Sequence, residues 1–407
     1  MKESTTNPIR VLELFAGIGA CSSALDRLGI QHEIVDAVEI DKYAIKSFNA
    51  IHHTSFKPPD IRTWNKDIKV DLIMHGSPCQ DFSIAGKQAG GDMGSGTRSS
   101  LMYETLRIVE KLRPKYVIWE NVKNILSKRH VHNWNMYAER MEELGYVNYC
   151  DVLNAKDYGI PQNRERVFTV SIYAGDDILE YDFRTPEKIP LEKRLKDFLE
   201  KDVDEKYYLS EEKLQMIGKW KCYEKPLEHM LEDDSIVGTL TTRSGAECEG
   251  MKIYVNNKKG YDIAHNGDAI DFSYPSSKTR RGRVGHGVAK TLLTSDSQGV
   301  IELNKTPKHQ QDLIQHENGL CRTIPAGTHG STPHLLKTAT GDYRIRKLTP
   351  KECWRLMGFD DTDFEKAEKV NSNTQLYKQA GNSIVVPVLE AILTNLLKDE
   401  YVTSLNS

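Results

Sequence analysis

Residues 70–83 read VDLIMHGSPCQDFS, and they join a short apolar segment to a turn that carries a thiol. The segment VDLIMH is typical of a buried β-strand. Gly76, Ser77 and Pro78 then turn the chain, and Cys79 follows. The neighbours of this cysteine are polar, whereas a structural cysteine usually lies among apolar side chains. The stretch therefore predicts an accessible thiol at the carboxyl end of a core strand.

Strand-like and helix-like segments alternate around this strand, over residues 10 to 175. The expected strands read RVLELF, EIVDAVEI, VDLIMH, KYVIWE, NYCDVLNA and RVFTVSIY, and between them stand the helical segments CSSALDRLG, DKYAIKSFNAIH, LMYETLRIVEKL and NWNMYAERMEELG. This alternation favours an α/β fold with a doubly wound, mostly parallel sheet covered on both faces. The last two strands are joined by KDYGIPQNRE, which leaves no room for a crossover helix, so we expect an antiparallel hairpin at one edge.

The length of 407 residues exceeds the roughly 250–300 at which a single core stops growing, so we expect more than one domain. Residues 1–180 form the first domain. Residues 181–343 are richer in Gly, Ser, Thr and Asn, and this composition predicts a smaller, irregular β-rich domain. Three segments in it are similar to one another: GTLTTRSGA, KTLLTSDSQG and RTIPAGTHGS. They are either weak repeats or hairpins of similar chemistry, and we favour hairpins. Residues 344–407 return to the first domain through a helix that is apolar at Val388, Ile392 and Leu396.

Charge and cysteine usage narrow the class of protein. The net charge of −3 argues against a general nucleic-acid coat but allows a local basic cleft. The seven cysteines are scattered, odd in number and lack a CxxC pair, which argues against a disulfide framework or a zinc site, and we expect no metal. We find neither a signal peptide nor a long uninterrupted apolar run, so we expect a cytoplasmic protein without a membrane partner.

Residues near three predicted strand ends indicate a nucleoside-binding edge. In FAGIG, Gly17 and Gly19 make a tight turn before a helix, where a ligand can approach the backbone. Glu39 ends the next strand, about 20 residues on, where an acid suits a ribose diol. Asp60 and Ile61 follow a further short segment. Taken singly, each has an ordinary alternative, such as a plain turn or a solvated acid.

Further polar residues fall at the ends of later strands. Glu120 in WENV is flanked by apolar residues, so its carboxyl is expected to have a raised pKa and to be able to donate a proton. Arg164 and Arg166 in QNRERVF are two residues apart and share one face of a strand, which suits an anion or a base edge. The alternatives are an acid paired at the rim of the sheet and a surface ion-pair pattern.

The order of these motifs resembles that of the DNA (cytosine-5)-methyltransferases, of bacterial or phage type. FAGIG, GSPCQDFS, ENV, QNRERVF, RKLTPKECWRLMGF and QAGNSIVVPV match the motifs of that family in the family's order, over roughly residues 9–175 and 344–397. The middle of the chain stands where the family has its variable target-recognition region. The resemblance implies a Rossmann-like fold that binds S-adenosylmethionine and transfers a methyl group to C5 of cytosine.

The resemblance also implies roles for single residues. Cys79 would add to C6 of the cytosine, and Glu120 would donate either a proton or a strong hydrogen bond to N3. Arg166 would hold the O2 side and Arg164 would support the thiol loop, with the base flipped out of the duplex. The product would be S-adenosyl-L-homocysteine. The donor would lie against residues from four segments: Phe15, Ala16, Gly17, Gly19, Glu39, Ile40, Asp60, Ile61, Asn382 and Ser383.

Two stretches are candidates for binding DNA. Residues 80–100 are rich in Gly and Ser. We expect a mobile loop that closes over the flipped base, in which Gln80 and Ser83 contact DNA. The alternative is a disordered linker. KTRRGR carries Lys278, Arg280, Arg281 and Arg283, which suit phosphates or form a solvated charge run. Thr323 is a further candidate, and Thr241 and Arg243 are weaker ones.

The substrate expected from this resemblance is double-stranded DNA, bound by a monomer. Two rivals stay open: the same chemistry on RNA, and a DNA-binding relative without activity. The size favours an enzyme that protects DNA beside a restriction endonuclease, without direct contact to it. An ordinary dehydrogenase would leave the Pro-Cys turn and the arginine pair unexplained.

Overall fold

A computed structural model describes residues 7–79, 81–82, 90–175, 183–208, 251–254, 261–264, 267–271, 284–292, 298–303 and 343–401. The chain divides into two compact units. Unit 1 consists of Met1–Lys193, Thr291–Ser295 and Pro350–Ser407, and unit 2 of Arg194–Lys290 and Asp296–Thr349. The domain boundaries expected from the sequence stay a prediction.

The strands of unit 1 are β1 (Ile9–Leu14), β2 (His32–Val38), β3 (Leu72–His75), β4 (Tyr116–Val122), β5 (Tyr146–Asn154), the two-residue β6 (Gln162–Asn163) and β7 (Glu165–Tyr173). Six of them form one sheet in the order β2-β1-β3-β4-β7-β5. The pairs β1–β2, β1–β3 and β3–β4 are parallel, while β7 is antiparallel to both β4 and β5. The mostly parallel sheet and its antiparallel hairpin confirm the expected fold class.

The helices between the strands are α1 (Ala20–Arg27), α2 (Lys42–His52), α3 (Met102–Leu112) and α4 (Val131–Glu143), with short 3-10 helices at Arg98–Leu101, Lys123–Leu126 and Ala155–Tyr158. Parallel strands buried on both faces read as continuous apolar runs, which is why β1, β3 and β4 are visible in the sequence. One core cluster joins these strands to α3 and α4 through Leu12, Ile73, Val117, Ile108 and Tyr137.

The C-terminal helices are α5 (Pro350–Arg355), α6 (Asp361–Glu368), α7 (Asn373–Asn382) and α8 (Val386–Tyr401). Helix α8 packs on α1, with Val388, Ile392 and Leu396 buried as their helical spacing predicts. An ion pair of 2.6 Å between Arg27 and Glu390 joins the same two helices. The chain therefore completes unit 1 with its last segment.

The described part of unit 2 contains β8 (Met251–Tyr254), β9 (Tyr261–Ala264), β10 (Ala269–Asp271), β11 (Val284–Gly285), β12 (Ala289–Lys290), β13 (Gln298–Leu303) and β14 (Tyr343–Lys347), and 3-10 helices at Leu195–Phe198 and Glu205–Tyr207. Strands β8 and β9 form an antiparallel pair. Four others form an antiparallel sheet in the order β11-β10-β13-β14. The short strands agree with the β-rich character expected of this region.

One stretch, Asn373–Leu397, is long and apolar enough to cross a membrane by composition alone, with a mean hydropathy of 1.5 over its best window. It consists of α7 and most of α8, with a break at Ser383, the residue that caps α7. Half of the window is buried inside the protein, as in a core helix, so the stretch is weak grounds for a membrane span.

Candidate active site

The turn after β3 presents the Cys79 thiol. Gly76, Ser77 and Pro78 follow the last residue of β3, and Cys79 is partly exposed. The Phe82 amide donates to the Cys79 carbonyl at 3.1 Å, and the Phe82 side chain is fully buried. The thiol is thus held between a buried strand and a buried aromatic anchor.

Glu120 lies beside this turn, in the last third of β4. A Cβ placed on Gly76 would lie 3.7 Å from Glu120 Oε2, an ordinary van der Waals distance, so the turn runs next to the carboxyl. Arg166 Nε lies 3.0 Å from Glu120 Oε1. Burial raises the pKa of Glu120, and the nearby charges of Arg166 and Arg164 oppose this rise. The carboxyl therefore holds its proton more readily than a solvated glutamate does.

The electrostatic setting of Cys79 depends on the same groups. Burial raises the pKa of the thiol, and the negative charge of Glu120 raises it further. Arg166 and Arg164 lower it. Protonation of Glu120 would remove the negative charge that raises the pKa of the thiol and leave the two arginines that lower it. The protonation states of the thiol and the carboxyl are therefore coupled.

Arg164 and Arg166 have different surroundings. Arg166 is partly exposed and faces Glu120, whereas Arg164 is 3% exposed and precedes β7. Arg164 donates to the backbone oxygens of Ser383, Gly381 and Leu292 at 2.8, 3.2 and 3.3 Å. Burial lowers the pKa of Arg164 to about 9. Its hydrogen bonds thus hold the end of α7, and its charge lowers the pKa of the Cys79 thiol. The support that we expect it to give the thiol loop stays a prediction.

The turn between β1 and α1 leaves room against the backbone. Phe15 and Gly17 have positive φ angles of 53° and 56°, an uncommon conformation for Phe15. A Cβ on Gly17 would meet nothing within 4 Å, whereas one on Gly19 would lie 2.1 Å from His52. The Ala16 amide donates to the Val38 carbonyl at 3.1 Å, which ties this turn to the end of β2.

Glu39 follows β2 and faces the same turn. Its carboxylate accepts from the Gly17 amide at 3.0 Å and from the Asp41 amide at 2.8 Å. Burial raises its pKa, and these two backbone hydrogen bonds oppose the rise. A carboxylate has about four acceptor positions, so two remain for a diol. Ile40, the next residue, exposes 67% of its surface beside this acid.

The remaining predicted cofactor residues lie in the loop at Asp60 and Ile61 and at the end of α7. Asp60 binds Arg62 at 2.5 Å, and Ile61 is buried in the main core, so its contribution to a pocket would come from its backbone. Asn382 ends α7 and is exposed, while Ser383 is buried.

Two supporting residues were missed by the sequence analysis. Arg107 donates to the carbonyls of Ile61 and Trp64 at 2.9 and 3.0 Å and so backs the loop after Asp60. Its spacing from Glu104 is that of an ordinary surface ion pair on a helix, which concealed this contact. Gln379 links α7 to α2 through Ser47, with 3.0 Å between Ser47 Oγ and Gln379 Oε1, and lies in the motif QAGNS.

All residues proposed for DNA binding lie outside the described residues. They are Gln80, Ser83, Lys278, Arg280, Arg281, Arg283 and Thr323, together with the weaker candidates Thr241 and Arg243. Their roles stay predictions.

The sequence profile of the C-5 cytosine-specific DNA methylases matches residues 9–398. The chain belongs to this family. The resemblance seen in the motifs is confirmed, and the protein is a DNA (cytosine-5)-methyltransferase. Membership implies S-adenosylmethionine as the methyl donor and DNA as the substrate.

Named relatives of this methyltransferase come from bacteria and phages. The orphan methyltransferase M.SPRI of Bacillus phage SPR is 34% identical over 443 aligned positions, which cover 96% of this chain and 97% of the phage protein. The type II methyltransferase M2.ScrFI of Lactococcus lactis subsp. cremoris is 31% identical and is covered over its whole length, against 96% of this chain. The crystal structure of the S. pombe Dnmt2 methyltransferase matches with a TM-score of 0.57 and 19% identity, over 97% of this chain and 99% of that one, which shows the fold alone.

Proposed function

We propose that this methyltransferase methylates C5 of a cytosine within a short, specific sequence of double-stranded DNA, through a transient bond between Cys79 and C6 of a base flipped out of the duplex. The observation that carries the proposal is the convergence of Cys79, Glu120 and Arg166 around the turn after β3. A nucleophile, a proton donor and a cation at one pocket are the groups that addition to a pyrimidine requires.

The first step activates the ring. Cytosine C5 is a poor nucleophile until a group adds at C6. The Cys79 S–H bond breaks, its proton leaves to water, and the S–C6 bond forms. Glu120 donates its proton to N3, so the ring stays neutral and C5 becomes the electron-rich carbon of an enamine.

The charges in the pocket favour this order of events. While Glu120 is ionised, its charge raises the pKa of the thiol. A protonated Glu120 leaves the two arginines to favour the thiolate. When the proton moves to N3, the new carboxylate already lies 3.0 Å from Arg166, whose remaining donors face O2 of the base in our proposal.

The second step completes the transfer. When bound, S-adenosylmethionine supplies an electrophilic methyl group for C5. A water molecule then takes the C5 proton, the C5–C6 double bond re-forms, Cys79 leaves as the thiolate and the N3 proton returns to Glu120. Arg164, through its bond to Ser383, keeps the end of α7 beside this pocket.

The residues around the turn after β1 fit the donor. Gly17 leaves open space in front of its backbone, Glu39 has two free acceptor positions for a ribose, and Ile40 exposes an apolar face for an adenine. The other proposed contacts come from Phe15, Ala16, Gly19, Asp60, Ile61, Asn382 and Ser383.

The biological role that we propose follows the relatives. The relatives whose names describe them as type II or orphan methyltransferases come from bacteria and phages. By analogy, this methyltransferase protects DNA against a restriction endonuclease. We also propose that it acts as a monomer and makes no direct contact with the nuclease.

Transfer of a tritiated methyl group tests the proposal, with mixed-sequence DNA and bulk tRNA as separate substrates. We expect label in DNA, and label in RNA or in neither would overturn it. Cys79→Ala should abolish transfer, while Cys150→Ala, at another partly buried cysteine, should keep it. DNA containing 5-fluorocytosine should trap the wild-type chain covalently, and bisulfite sequencing should place 5-methylcytosine in one short motif.

A further inference from the structure

The residue two places before the thiol is fixed by a side chain of the neighbouring strand. Ser77 is 2% exposed, and its Oγ accepts from the Trp119 indole N–H at 2.9 Å. The Asn121 amide lies 3.3 Å from the Ser77 carbonyl and 3.4 Å from the same hydroxyl. Both partners belong to β4, and they flank Glu120 in the sequence.

Trp119 has little freedom to move. It is 1% exposed, and its ring stacks on His75 at 5.7 Å with an interplanar angle of 8°. It also packs at 4.2 Å against Tyr137. A buried indole N–H needs an acceptor, and here the acceptor is the Ser77 hydroxyl.

Successive side chains of a strand point to opposite faces of its sheet. Trp119 and Asn121 therefore hold the turn from one face of β4, while Glu120 between them points to the other face, toward Arg166. One short strand thus determines where the acid lies and where the backbone before the thiol lies.

We propose that Ser77 and Trp119 are positioning residues, which keep the Cys79 sulfur in register with Glu120 for attack on C6. This inference rests on the function proposed above. Displacing a reacting atom by about 1 Å costs roughly a hundredfold in rate. Losing the bond should therefore slow formation of the covalent adduct and leave the binding of DNA and cofactor unchanged.

Two variants remove the bond from opposite sides. Trp119→Phe removes the donor and keeps an aromatic ring, and Ser77→Ala removes the acceptor. Each should slow single-turnover trapping on 5-fluorocytosine DNA by about 10- to 100-fold, with the dissociation constants for DNA and S-adenosylhomocysteine within about twofold of wild type. The double variant should be no slower than the slower single variant, because both changes remove one interaction.

Two further variants serve as controls. Ser77→Thr keeps the hydroxyl and should restore most of the rate. Tyr137→Phe removes a hydroxyl that lies 3.0 Å from His75 Nε2 but keeps the ring against Trp119 and the bond between Trp119 and Ser77, so it should trap at the wild-type rate.

Three outcomes would overturn the inference: wild-type trapping by Ser77→Ala and Trp119→Phe, an equal loss in Tyr137→Phe, or a parallel loss of DNA binding. If the wild-type protein itself never traps, the proposed function fails instead, and the two failures are thereby distinguished.

Discussion

Arg166 Nε lies 3.0 Å from Glu120 Oε1, with only 17% of the arginine side chain and 12% of the glutamate side chain exposed. An ion pair at this burial normally keeps a carboxyl ionised, yet the pKa of Glu120 is raised because burial outweighs the cation. The pair therefore suits the proposed reaction, in which Glu120 gives a proton to N3 and Arg166 lies beside the resulting negative charge.

Glu120→Gln should lower kcat by about 10²–10⁴-fold, because the proton donor to N3 is lost. The same change should shift the free energy of unfolding in favour of the variant, relative to wild type, as the pH rises. A carboxyl whose pKa rises on folding destabilises the native state once the pH passes the unfolded value, and fully above the folded value. We expect the stability advantage, measured by urea unfolding, to be larger at pH 8 than at pH 5.

Glu165→Gln is the control for this variant, since Glu165 is exposed and pairs with Lys123. It should leave kcat at the wild-type value. A stability difference between Glu120→Gln and wild type that does not move in favour of the variant from pH 5 to pH 8 would contradict the raised pKa.

Gly19→Ala should mainly lower the stability of the fold, whereas Gly17→Ala should mainly lower the affinity for the cofactor. Both glycines have positive φ angles, so each alanine costs about 1–2 kcal/mol of strain. At Gly19 the new methyl group also collides with His52 and Phe48, and the total loss should reach about 2–4 kcal/mol. At Gly17 the methyl group enters open space, so stability should fall less, while the affinity for S-adenosylhomocysteine should fall at least about tenfold, or 1.4 kcal/mol.

Calorimetric titration and urea unfolding of both variants check this prediction. An unchanged affinity in a folded Gly17→Ala protein would exclude a ligand from the space in front of this turn.

Glu39→Gln should weaken S-adenosylhomocysteine binding by about 10–100-fold, the loss expected for a hydrogen bond to a charged group. The amide of glutamine also leaves either the Gly17 or the Asp41 N–H without an acceptor. Glu33→Gln, at an exposed position of β2, should bind normally. Equal affinities for the two variants, measured by titration calorimetry, would argue against a ribose at Glu39.

His75→Phe should make stability less sensitive to mild acid. Burial lowers the pKa of His75 to about 3, so folding keeps the ring neutral. A histidine whose pKa is lowered by folding contributes less to the free energy of unfolding as the pH falls below its pKa in the unfolded chain, about 6.5. The wild type should therefore lose about 2 kcal/mol more than His75→Phe between pH 7 and pH 5, as measured by urea unfolding at both pH values. Equal losses would show that His75 is accessible to protons in the folded state.

The fold was largely predictable from local pattern. Buried parallel strands read as apolar runs, and β1, β3 and β4 are runs of this kind. The hairpin of β5 and β7 followed from the short connection between them. These signals are local, because each lies within one strand or one turn.

The supporting contacts of the site were not predictable, since their partners are far apart in the sequence. Arg164 and Ser383 are 219 positions apart, and nothing near Arg164 identifies the carbonyl that it binds. Ser77 and Trp119 are 42 positions apart, and Trp119 reads simply as part of an apolar strand. The resemblance pointed to the reacting groups, whereas the groups that hold them required the tertiary structure.

The packing of α8 on α1 has a consequence for synthesis on the ribosome. Helix α1 begins at Ala20 and α8 at Val386. At about 5–20 residues per second, roughly 20 to 70 seconds separate their translation. During that interval the face of α1 that packs on α8 lacks its native cover, and until the last helix emerges only chaperones or transient non-native contacts can shield it from water.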